Sequence, residues 1–149
     1  MLMSLMKMKK KKKMNKSIIQ RLDKVFSIFI RLRDSNENGY IRCISCGKIV
    51  HWKKSDCGHF INRKHLSTRW HEKNCNAQCR ACNRFDEGNF PGYLVGINKK
   101  YGTKILDELT LLKYQVSKLT DLEGKLLIDY YKKRVKELEK KTYNPVFRG

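Results

Sequence analysis

The sequence predicts an α+β fold: a zinc-stapled ββα centre, with an N-terminal helix before it and a helical region after it. Two Cys-x-x-Cys pairs, at residues 43–46 and 79–82, bracket this centre and can hold one tetrahedral zinc ion through four thiolates. Apolar residues recur at three- and four-residue spacings on both sides of the centre, which predicts amphipathic helices. The chain of 149 residues is long enough for one domain with a tail.

The pattern divides the chain into five segments. We expect a disordered basic tail over residues 1–16, an N-terminal helix over 17–39 and a zinc-bound core over 40–88. A helical C-terminal region of the same domain follows over 89–143. Asn144-Pro145 ends the ordered part of the chain, and a tail over 144–149 follows.

The charge of the chain points to a polyanionic partner. Lysine and arginine total 34 against 14 acids, which gives a net charge of +20. Residues 1–16 hold seven lysines and no acid, so the folded part is itself strongly basic. Nucleic acid is the commonest partner of such a surface, and solubility alone is the alternative. No apolar run approaches the roughly 20 residues that a membrane span needs, so we expect no membrane partner.

The six cysteines are better explained by metal binding than by disulfides. The lysines follow the short apolar start instead of preceding an apolar segment, so no signal peptide is predicted. Cys-x-x-Cys pairs in a reducing compartment are typical metal ligands, and chance or redox pairs are the alternative. We therefore expect a protein of the cytoplasm of a bacterium or phage-infected cell, with Cys57 and Cys75 as free thiols.

Residues 17–34 form the first predicted helix. Ser17 can cap its N-terminus, and a polar turn over residues 35–39 ends it. One face of this helix is apolar at helical spacing and consists of Leu22, Val25, Phe26, Phe29 and Ile30.

Short extended segments and loops make up residues 40–88. Residues 40–43 and 49–52 predict a hairpin around a zinc-knuckle turn, in which Gly47 lets backbone amides face the sulfurs. A second extended segment over 56–61 carries His59, and a basic loop follows it. We expect residues 77–84 to begin a helix that holds the second cysteine pair and Asn83.

Helix signals dominate the chain after residue 88. Asn89 can cap a helix with Pro91 in its first turn, and Gly102 ends that helix. Thr120 and Glu123 form a capping box for the last helix. The apolar stripes of these helices are most simply core packing and not a cofactor site.

Four thiolates saturate a zinc ion, so the predicted zinc is structural and cannot activate water. His59 is the candidate general base, because a neutral imidazole can take a proton from water near pH 7. The side-chain carbonyl of Asn83 suits a catalytic magnesium or manganese ion beside a phosphate. Asn74 can bond the backbone around His59 and fix the ring. Taken alone, a histidine on a strand is more often structural.

These residues resemble a known nuclease pattern. The order Gly58-His59-Phe60-Ile61, Asn74 and Cys79-x-x-Cys82-Asn83 is similar to the HNH, or His-Me finger, motif. The chain is more similar still to the phage lambda NinG family, also called Rap, over roughly residues 20–140. That resemblance rests on Leu32-Arg33-Asp34, Asn38-Gly39-Tyr40, Cys43-Ile44-Ser45-Cys46-Gly47-Lys48, Gly58-His59-Phe60-Ile61, residues 63–69, Asn74, Gln78-Cys79, Cys82-Asn83 and Gly88-Asn89.

The resemblance implies a recombination nuclease with an HNH-like core, which cuts branched DNA such as Holliday junctions and D-loops. His59 would be its base, Asn74 its orienting residue and Asn83 a metal ligand. Many HNH sites place Asp or His directly before the base, where this chain has Gly58. Neither Asp56 nor Cys57 is obviously equivalent.

His65 in the following loop is the substitute ligand that we assign to the catalytic cation. Its alternative is a phosphate contact or a structural hydrogen bond. Asp86 and Glu87 are weaker candidates, better explained as solvated helix residues.

Arg63, Lys64 and Arg69 are the candidate phosphate contacts. Trp52 and Trp70 can stack on bases, although buried packing suits each better. The expected partner is branched or single-stranded DNA; a host or phage recombinase and a second copy of the chain stay open as further partners. The competing hypothesis is a zinc-stabilised DNA-binding protein that cuts nothing. A zinc-ribbon protein for RNA or a protein partner explains the charge but not the His-Asn-Asn placement.

Overall fold

The structure, a computed structural model, describes residues 12–142. In chain order the helices and strands are α1 (Lys16–Arg33), β1 (Tyr40–Arg42), β2 (Ile49–His51), β3 (Ser55–His59), α2 (Leu66–Arg69), β4 (Cys75–Cys79), α3 (Phe90–Tyr101), α4 (Lys104–Lys113) and α5 (Asp121–Thr142). A 3-10 turn, Trp52–Lys54, precedes β3 and a π-helical turn, Ala81–Phe85, follows β4. The α+β class is therefore confirmed. The predictions for residues 1–11 and 143–149 lie outside the described residues.

A two-stranded antiparallel sheet of β3 and β4 lies at the centre of the molecule. Because side chains alternate across a strand, the sheet presents one row to α1 and another to α3. The row toward α1 contains Cys57, His59, Cys75 and Ala77, and the row toward α3 contains Gly58, Asn76 and Gln78. His59 is the last residue of β3, so it lies at one end of this sheet beneath α1.

The packing of α1 confirms the predicted apolar stripe. Leu22, Phe26, Phe29 and Ile30 are buried, and the rings of Phe26 and Phe29 each lie 4.9 Å from that of Tyr131 on α5. Helix α5 therefore covers one side of α1 while the central sheet contacts the other. Such aromatic pairs stabilise by about 0.5–1.5 kcal/mol beyond the area that they bury.

The start of α1 differs from the prediction. Its N-terminal cap is Asn15 and not Ser17, because the Asn15 side chain accepts a hydrogen bond from the Ser17 backbone N–H at 2.8 Å. Met14 is buried against α1 and α5, and the Asn15 backbone N–H donates to Asp121 at 2.7 Å. The folded part therefore begins before residue 17, and the boundary of the predicted tail at residue 16 is too late.

The predicted hairpin and second extended segment are present as β1–β2 and β3. The prediction that residues 77–84 begin a helix is wrong for Ala77 to Cys79, which belong to β4. All five residues of β4 are buried and their backbone groups pair with β3, which favours a strand. The helical turn comes after the strand, over Ala81–Phe85, and it carries Asn83 as expected.

The C-terminal helices follow the predicted signals. The Asn89 side chain caps α3 by accepting from the Gly92 N–H at 3.2 Å, and Gly102 ends that helix with φ +83°. The Thr120 N–H donates to Glu123 at 2.6 Å and the Glu123 N–H donates to Thr120 at 3.2 Å. This reciprocal pair is the predicted capping box.

Helix α3 lies directly against the first cysteine pair. A side chain at Gly96 would collide with the Ile44 carbonyl oxygen, so only glycine allows this approach. The Ile44 N–H donates to the Ala77 carbonyl on β4 at 3.1 Å. The turn that carries Cys43 and Cys46 is thereby fixed between α3 and the central sheet.

A partly buried ion-pair network joins α1, β4 and α3. The Asp34 carboxylate accepts from Arg33 at 2.8 Å, from Lys100 at 2.9 Å and from the Ala77 backbone N–H at 2.8 Å. Burial alone would raise the pKa of Asp34, but the hydrogen bonds and positive charges of Arg33 and Lys100 more than offset it. The net effect lowers the pKa of Asp34 below its ordinary 3.8.

Replacing Asp34→Asn should lower the free energy of unfolding at pH 7 by about 1–3 kcal/mol, because it leaves partly buried donors without their carboxylate. A carboxylate whose pKa is depressed by folding stabilises the protein above the pKa of the unfolded state. That contribution is lost as the pH falls through the lower folded value. The difference between wild type and Asp34→Asn in urea melts should therefore shrink below about pH 4.

The exposed Asp129 on α5 provides the matched control for this comparison. We expect Asp129→Asn to change stability by less than about 0.5 kcal/mol. A difference for Asp34→Asn that stays constant from pH 7 to pH 3 would contradict the linkage between this carboxylate and folding.

Candidate functional site

The sulfur atoms of four cysteines lie within 4.8 Å of one another: Cys43, Cys46, Cys79 and Cys82. The Sγ atoms of Cys46 and Cys79 are 3.7 Å apart. Corners of a tetrahedron whose centre lies ~2.3 Å from each sulfur are about 3.8 Å apart, so the spacing suits a Zn–S4 geometry. This cluster can hold a metal ion such as zinc, with all four ligands supplied by the protein.

The backbone around the cluster is arranged to support thiolates. Gly47 adopts φ +76°, as its place in the knuckle turn predicts, and the Lys48 backbone N–H faces the Cys46 sulfur. The Asn89 side chain donates to the Cys82 sulfur at 3.3 Å while it also caps α3. Groups that donate to ligand sulfurs orient them and stabilise their charged form.

His59 lies at the end of β3 with its ring held in place. Its Nε2 atom is 2.9 Å from the Arg69 carbonyl oxygen. A carbonyl can only accept, so Nε2 carries the hydrogen and the ring lone pair is at Nδ1. Burial lowers the pKa of His59, the positive charges of Arg63 and Arg69 lower it further, and the hydrogen bond to Arg69 offsets part of this. The imidazole is therefore mainly neutral at pH 7.

Asn74 fixes the loop that joins β3 to β4. Its side-chain oxygen accepts from the Ile61 N–H at 2.8 Å, and its side-chain nitrogen donates to the carbonyls of Ile61 and Thr68, each at 3.1 Å. The side chain is fully buried. It thus connects the residues just after His59 to those just before Arg69, whose carbonyl holds the His59 ring.

A cleft of about 360 Å³ opens between α1, β3 and the loop after the π-helical turn. Its lining includes His59, Asn83, Cys57, Arg63 and Glu87. The structure therefore brings His59 and Asn83 to one cavity, and the buried Asn74 is not part of its described lining. His65 is not part of the described lining of the cleft; it lies at the start of α2. Its assignment as a cation ligand remains a prediction.

The structure adds Asp56 as a neighbour of Asn83. The Asn83 side-chain nitrogen donates to the Asp56 carboxylate at 3.1 Å, and Arg84 donates to both carboxylate oxygens at 2.7 and 2.8 Å. Burial alone would raise the pKa of Asp56, but the hydrogen bonds from Arg84 and Asn83 lower it overall. Only Asp56 and Glu72 are acidic among residues 40–85, and this scarcity is the signal that could have identified Asp56.

Packing explains why a glycine, Gly58, directly precedes His59. A side chain at Gly58 would collide with Gln78 on the paired strand. Gln78 is itself fixed, because its side-chain nitrogen donates to the Ser45 hydroxyl at 2.8 Å and to the Gly88 carbonyl at 2.6 Å. The position directly before the histidine is therefore closed to the Asp or His that many HNH sites place there.

The three basic candidates have different surroundings. Arg63 and Lys64 are exposed, and Arg63 lines the cleft. Arg69 instead binds the Asp23 carboxylate through two hydrogen bonds of 2.9 and 2.5 Å. Trp70 also donates to Asp23, at 2.9 Å, so the Arg69 guanidinium is held within the fold.

The structure also shows where the remaining aromatic and acidic candidates lie. Trp52 and Trp70 are both buried, which favours packing over base stacking for each. Asp86 and Glu87 are exposed in the loop after the π-helical turn, and Glu87 contributes to the cleft.

The fold and the site define a basic α+β protein built around a four-cysteine cluster that can hold a metal ion. The model of the Bacteriophage Lambda NinG protein family matches residues 3–141, and the chain belongs to that family. It is 28% identical over 123 residues to Protein ninG of Escherichia phage lambda, covering 80% of this chain and 56% of the relative. It has the same identity over the same length to Protein ninG of Salmonella phage P22, with 80% and 57% coverage.

Protein ninG of Escherichia phage 933W is 31% identical over 94 residues, which cover 61% of this chain and 43% of the relative. The chain spans about half the length of the curated relatives that it matches. No solved structure gives a significant match. Within residues 12–142 the structure has no helix with the length and apolar character to cross a bilayer.

Removing the metal from the four-cysteine cluster should unfold the centre of the protein. Cys79→Ser, or a strong chelator added to wild type, should abolish the cooperative thermal transition followed by circular dichroism. The reason is that a structural zinc contributes on the order of 10 kcal/mol to folding. Cys57→Ser is the matched control because Cys57 is not one of these four ligands, and it should keep a chelator-sensitive transition. An identical melt with and without chelator would contradict the structural metal.

Proposed function

We propose that this chain is a metal-dependent endonuclease that hydrolyses phosphodiester bonds in branched DNA during phage-type homologous recombination. The observation that carries the proposal is the cleft that contains both His59 and Asn83. His59 there is neutral and has a fixed tautomer, and Asn83 contacts the Asp56 carboxylate. His59 and Asn83 supply a base and an oxygen ligand at one cleft, and the Asp56 carboxylate bonded to Asn83 supplies a second oxygen ligand next to it. These are the groups that metal-assisted hydrolysis requires.

Strands β3 and β4 with the π-helical turn are, in this proposal, the ββα unit of an HNH-like site. His59 ends the first strand, Asn74 precedes the second, and Asn83 is on the helical turn. The four-cysteine cluster fixes the far end of the same unit. Its zinc would be structural, because four thiolates leave no position for water or substrate.

The proton transfer would use His59 Nδ1. This atom takes a proton from a water molecule, and the resulting hydroxide attacks the phosphorus atom while the bond to the leaving oxygen breaks. The leaving oxygen then gains a proton from solvent, and the imidazolium later returns its own proton to solvent. The Arg69 carbonyl accepts from Nε2 throughout, so it stabilises the imidazolium and prevents the ring from turning.

The cation would be Mg²⁺ or Mn²⁺, held by two oxygen ligands, the Asp56 carboxylate and the Asn83 carbonyl. The Asn83 side-chain nitrogen donates to Asp56, so the amide would turn to present its oxygen to the ion. When bound, such an ion supplies positive charge beside the scissile phosphate. Arg84 occupies both Asp56 oxygens, but its side chain is 51% exposed. It would turn outward toward a phosphate when the site is filled.

DNA would approach over the exposed basic residues beside the cleft, Arg63, Lys64 and Arg84. The net charge of +20 favours strong binding to phosphates of any sequence. Selection of a branch requires a second contact surface, which the C-terminal helices or a second copy of the chain would supply. A host or phage recombinase would act beside it, in the cytoplasm of the infected cell.

Two observations favour a second candidate, a zinc-stabilised protein that binds branched or single-stranded DNA without cutting it. Gln78 closes the position before His59, and Arg84 holds the carboxylate that we assign to the cation. A binding protein does not need a neutral histidine in the cleft, so the loss of that histidine distinguishes the two candidates.

His59→Ala should slow the cleavage of a four-way junction about 10²- to 10⁴-fold in Mg²⁺ or Mn²⁺, because this is the contribution of a positioned general base. Junction binding in a gel-shift assay should change little. His71→Ala is the matched control, because this half-buried histidine pairs with Glu108 away from the cleft. Equal cleavage by wild type and His59→Ala would remove His59 from the mechanism.

Asp56→Asn should reduce cleavage about 10²-fold or more, because the amide lacks the charge that a divalent cation requires. Raising the concentration of Mn²⁺ should partly restore the rate. His65→Ala is measured beside it, since His65 is the other candidate ligand. Loss of cleavage in His65→Ala with full activity in Asp56→Asn would contradict the assignment of Asp56.

Combining Arg63→Ala with Lys64→Ala should weaken DNA binding and reduce the slope of log affinity against log salt by about 2. The reason is that each lost phosphate contact releases one fewer counterion. Arg42→Ala with Lys48→Ala, two exposed residues of the β1–β2 hairpin, is the control with the same change in charge. Equal slopes for the two double variants would show that the loop beside the cleft contacts no phosphate.

A further inference from the structure

A second cluster of potential metal ligands lies inside the molecule, apart from the four-cysteine cluster. It consists of Cys57, His59 and Cys75, whose ligand atoms lie within 4.8 Å of one another. Cys57 and His59 share one face of β3 at a two-residue spacing, and Cys75 lies directly opposite His59 on β4. Cys75 and Cys79 are at opposite ends of β4, which places the two clusters about 13 Å apart along the strand.

Neighbouring groups already hold the donor side chains of this second cluster close together. The Arg69 carbonyl accepts both from His59 Nε2, at 2.9 Å, and from the Cys75 thiol, at 3.4 Å. Cys75 is fully buried in the core between α1 and the sheet. Cys57 and His59 line the cleft, so an ion can enter from solvent without opening the core.

The three donors define the class of ion. Two thiolates and one imidazole suit a soft or borderline divalent ion such as Zn²⁺ or Co²⁺, whereas Mg²⁺ and Mn²⁺ prefer oxygen. Three protein ligands leave one coordination position open, as in zinc sites that also hold water or a small ligand. The four-cysteine cluster leaves no such position.

We propose that Cys57, His59 and Cys75 bind one divalent ion of the zinc class, and that this ion switches off His59 as a base. The second part rests on the proposed nuclease function; the binding of the ion does not. A neutral imidazole has a single lone pair in the plane of its ring. His59 therefore either coordinates the ion or accepts a proton from water, and it cannot do both.

This arrangement would provide two metal sites with different ion preferences and opposite effects on His59. An oxygen-preferring ion at Asp56 and Asn83 leaves the lone pair of His59 available. A thiol-preferring ion at the second cluster occupies it. Available zinc would thus inhibit hydrolysis at a site separate from the zinc that stabilises the fold.

The binding is tested by cobalt titration of the full chain under reducing, oxygen-free conditions. Wild type should take up two Co²⁺ ions per chain, both with the visible and near-ultraviolet bands of tetrahedral thiolate coordination. Cys57→Ser and His59→Ala should each take up one ion and keep the bands of the four-cysteine cluster. One ion in wild type, or two ions in both variants, would overturn the second site.

Using both Cys57→Ser and His59→Ala distinguishes the loss of the second site from a general loss of folding. Both must retain the cooperative thermal transition of wild type, and they remove different donors of the same cluster. His71→Ala is the control for loss of a histidine, because His71 belongs to neither cluster. It should still take up two ions.

The inhibition is tested by measuring junction cleavage in saturating Mg²⁺ with zinc buffered at ten times its dissociation constant for the second site. Wild type should be slowed about tenfold, because only the zinc-free fraction retains the base. In Cys57→Ser the ratio of rates with and without zinc should stay near one. If wild type takes up two ions but is not slowed by zinc, or is accelerated by it, the bound ion does not prevent His59 from acting as a base, and this part of the proposal is wrong. Absence of any cleavage would instead refute the proposed nuclease and leave the cobalt count as the test of the site.

Discussion

Four cysteine sulfurs gathered in one place are the constraint on which the rest of the structure depends. They join the turn after β1 to the end of β4 and to the π-helical turn, so the chain between the two pairs becomes a closed loop. The buried side chain of Asn74 fixes the opposite end of that loop through three hydrogen bonds. His59 lies between these two anchors, and its ring has one orientation because the Arg69 carbonyl accepts a hydrogen bond from Nε2.

The parts of the fold that the sequence predicts well are those governed by local chemistry. Paired cysteines at a two-residue spacing indicate metal ligands wherever they occur, and the capping box of α5 uses residues only three apart. The apolar face of α1 repeats every three or four residues and is buried as expected. None of these features requires knowledge of a distant partner.

The parts that sequence reasoning missed depend on contacts between distant residues. Strand β4 alternates Asn76 and Gln78 with smaller apolar residues, but it is only five residues long and has no β-branched or aromatic residue, so its strand signal is weak. The side chains of Asn76 and Gln78 are buried because they find partners on α3 and in the first cysteine turn. Arg69 looks like a phosphate contact until Asp23, 46 residues earlier, is brought beside it. Cys57 and Cys75 are far apart in the sequence and share no motif, yet the register of β3 and β4 brings both close to His59.

His59 is thus the point where the fold, the proposed reaction and the proposed zinc inhibition meet. The most direct test of this account is a single-turnover assay with protein in excess, which compares a labelled four-way junction with a linear duplex of the same sequence in Mg²⁺. The junction should be cut while the duplex stays intact over the same time. Tight binding of the junction with no cutting in either Mg²⁺ or Mn²⁺ would contradict it and favour a DNA-binding protein.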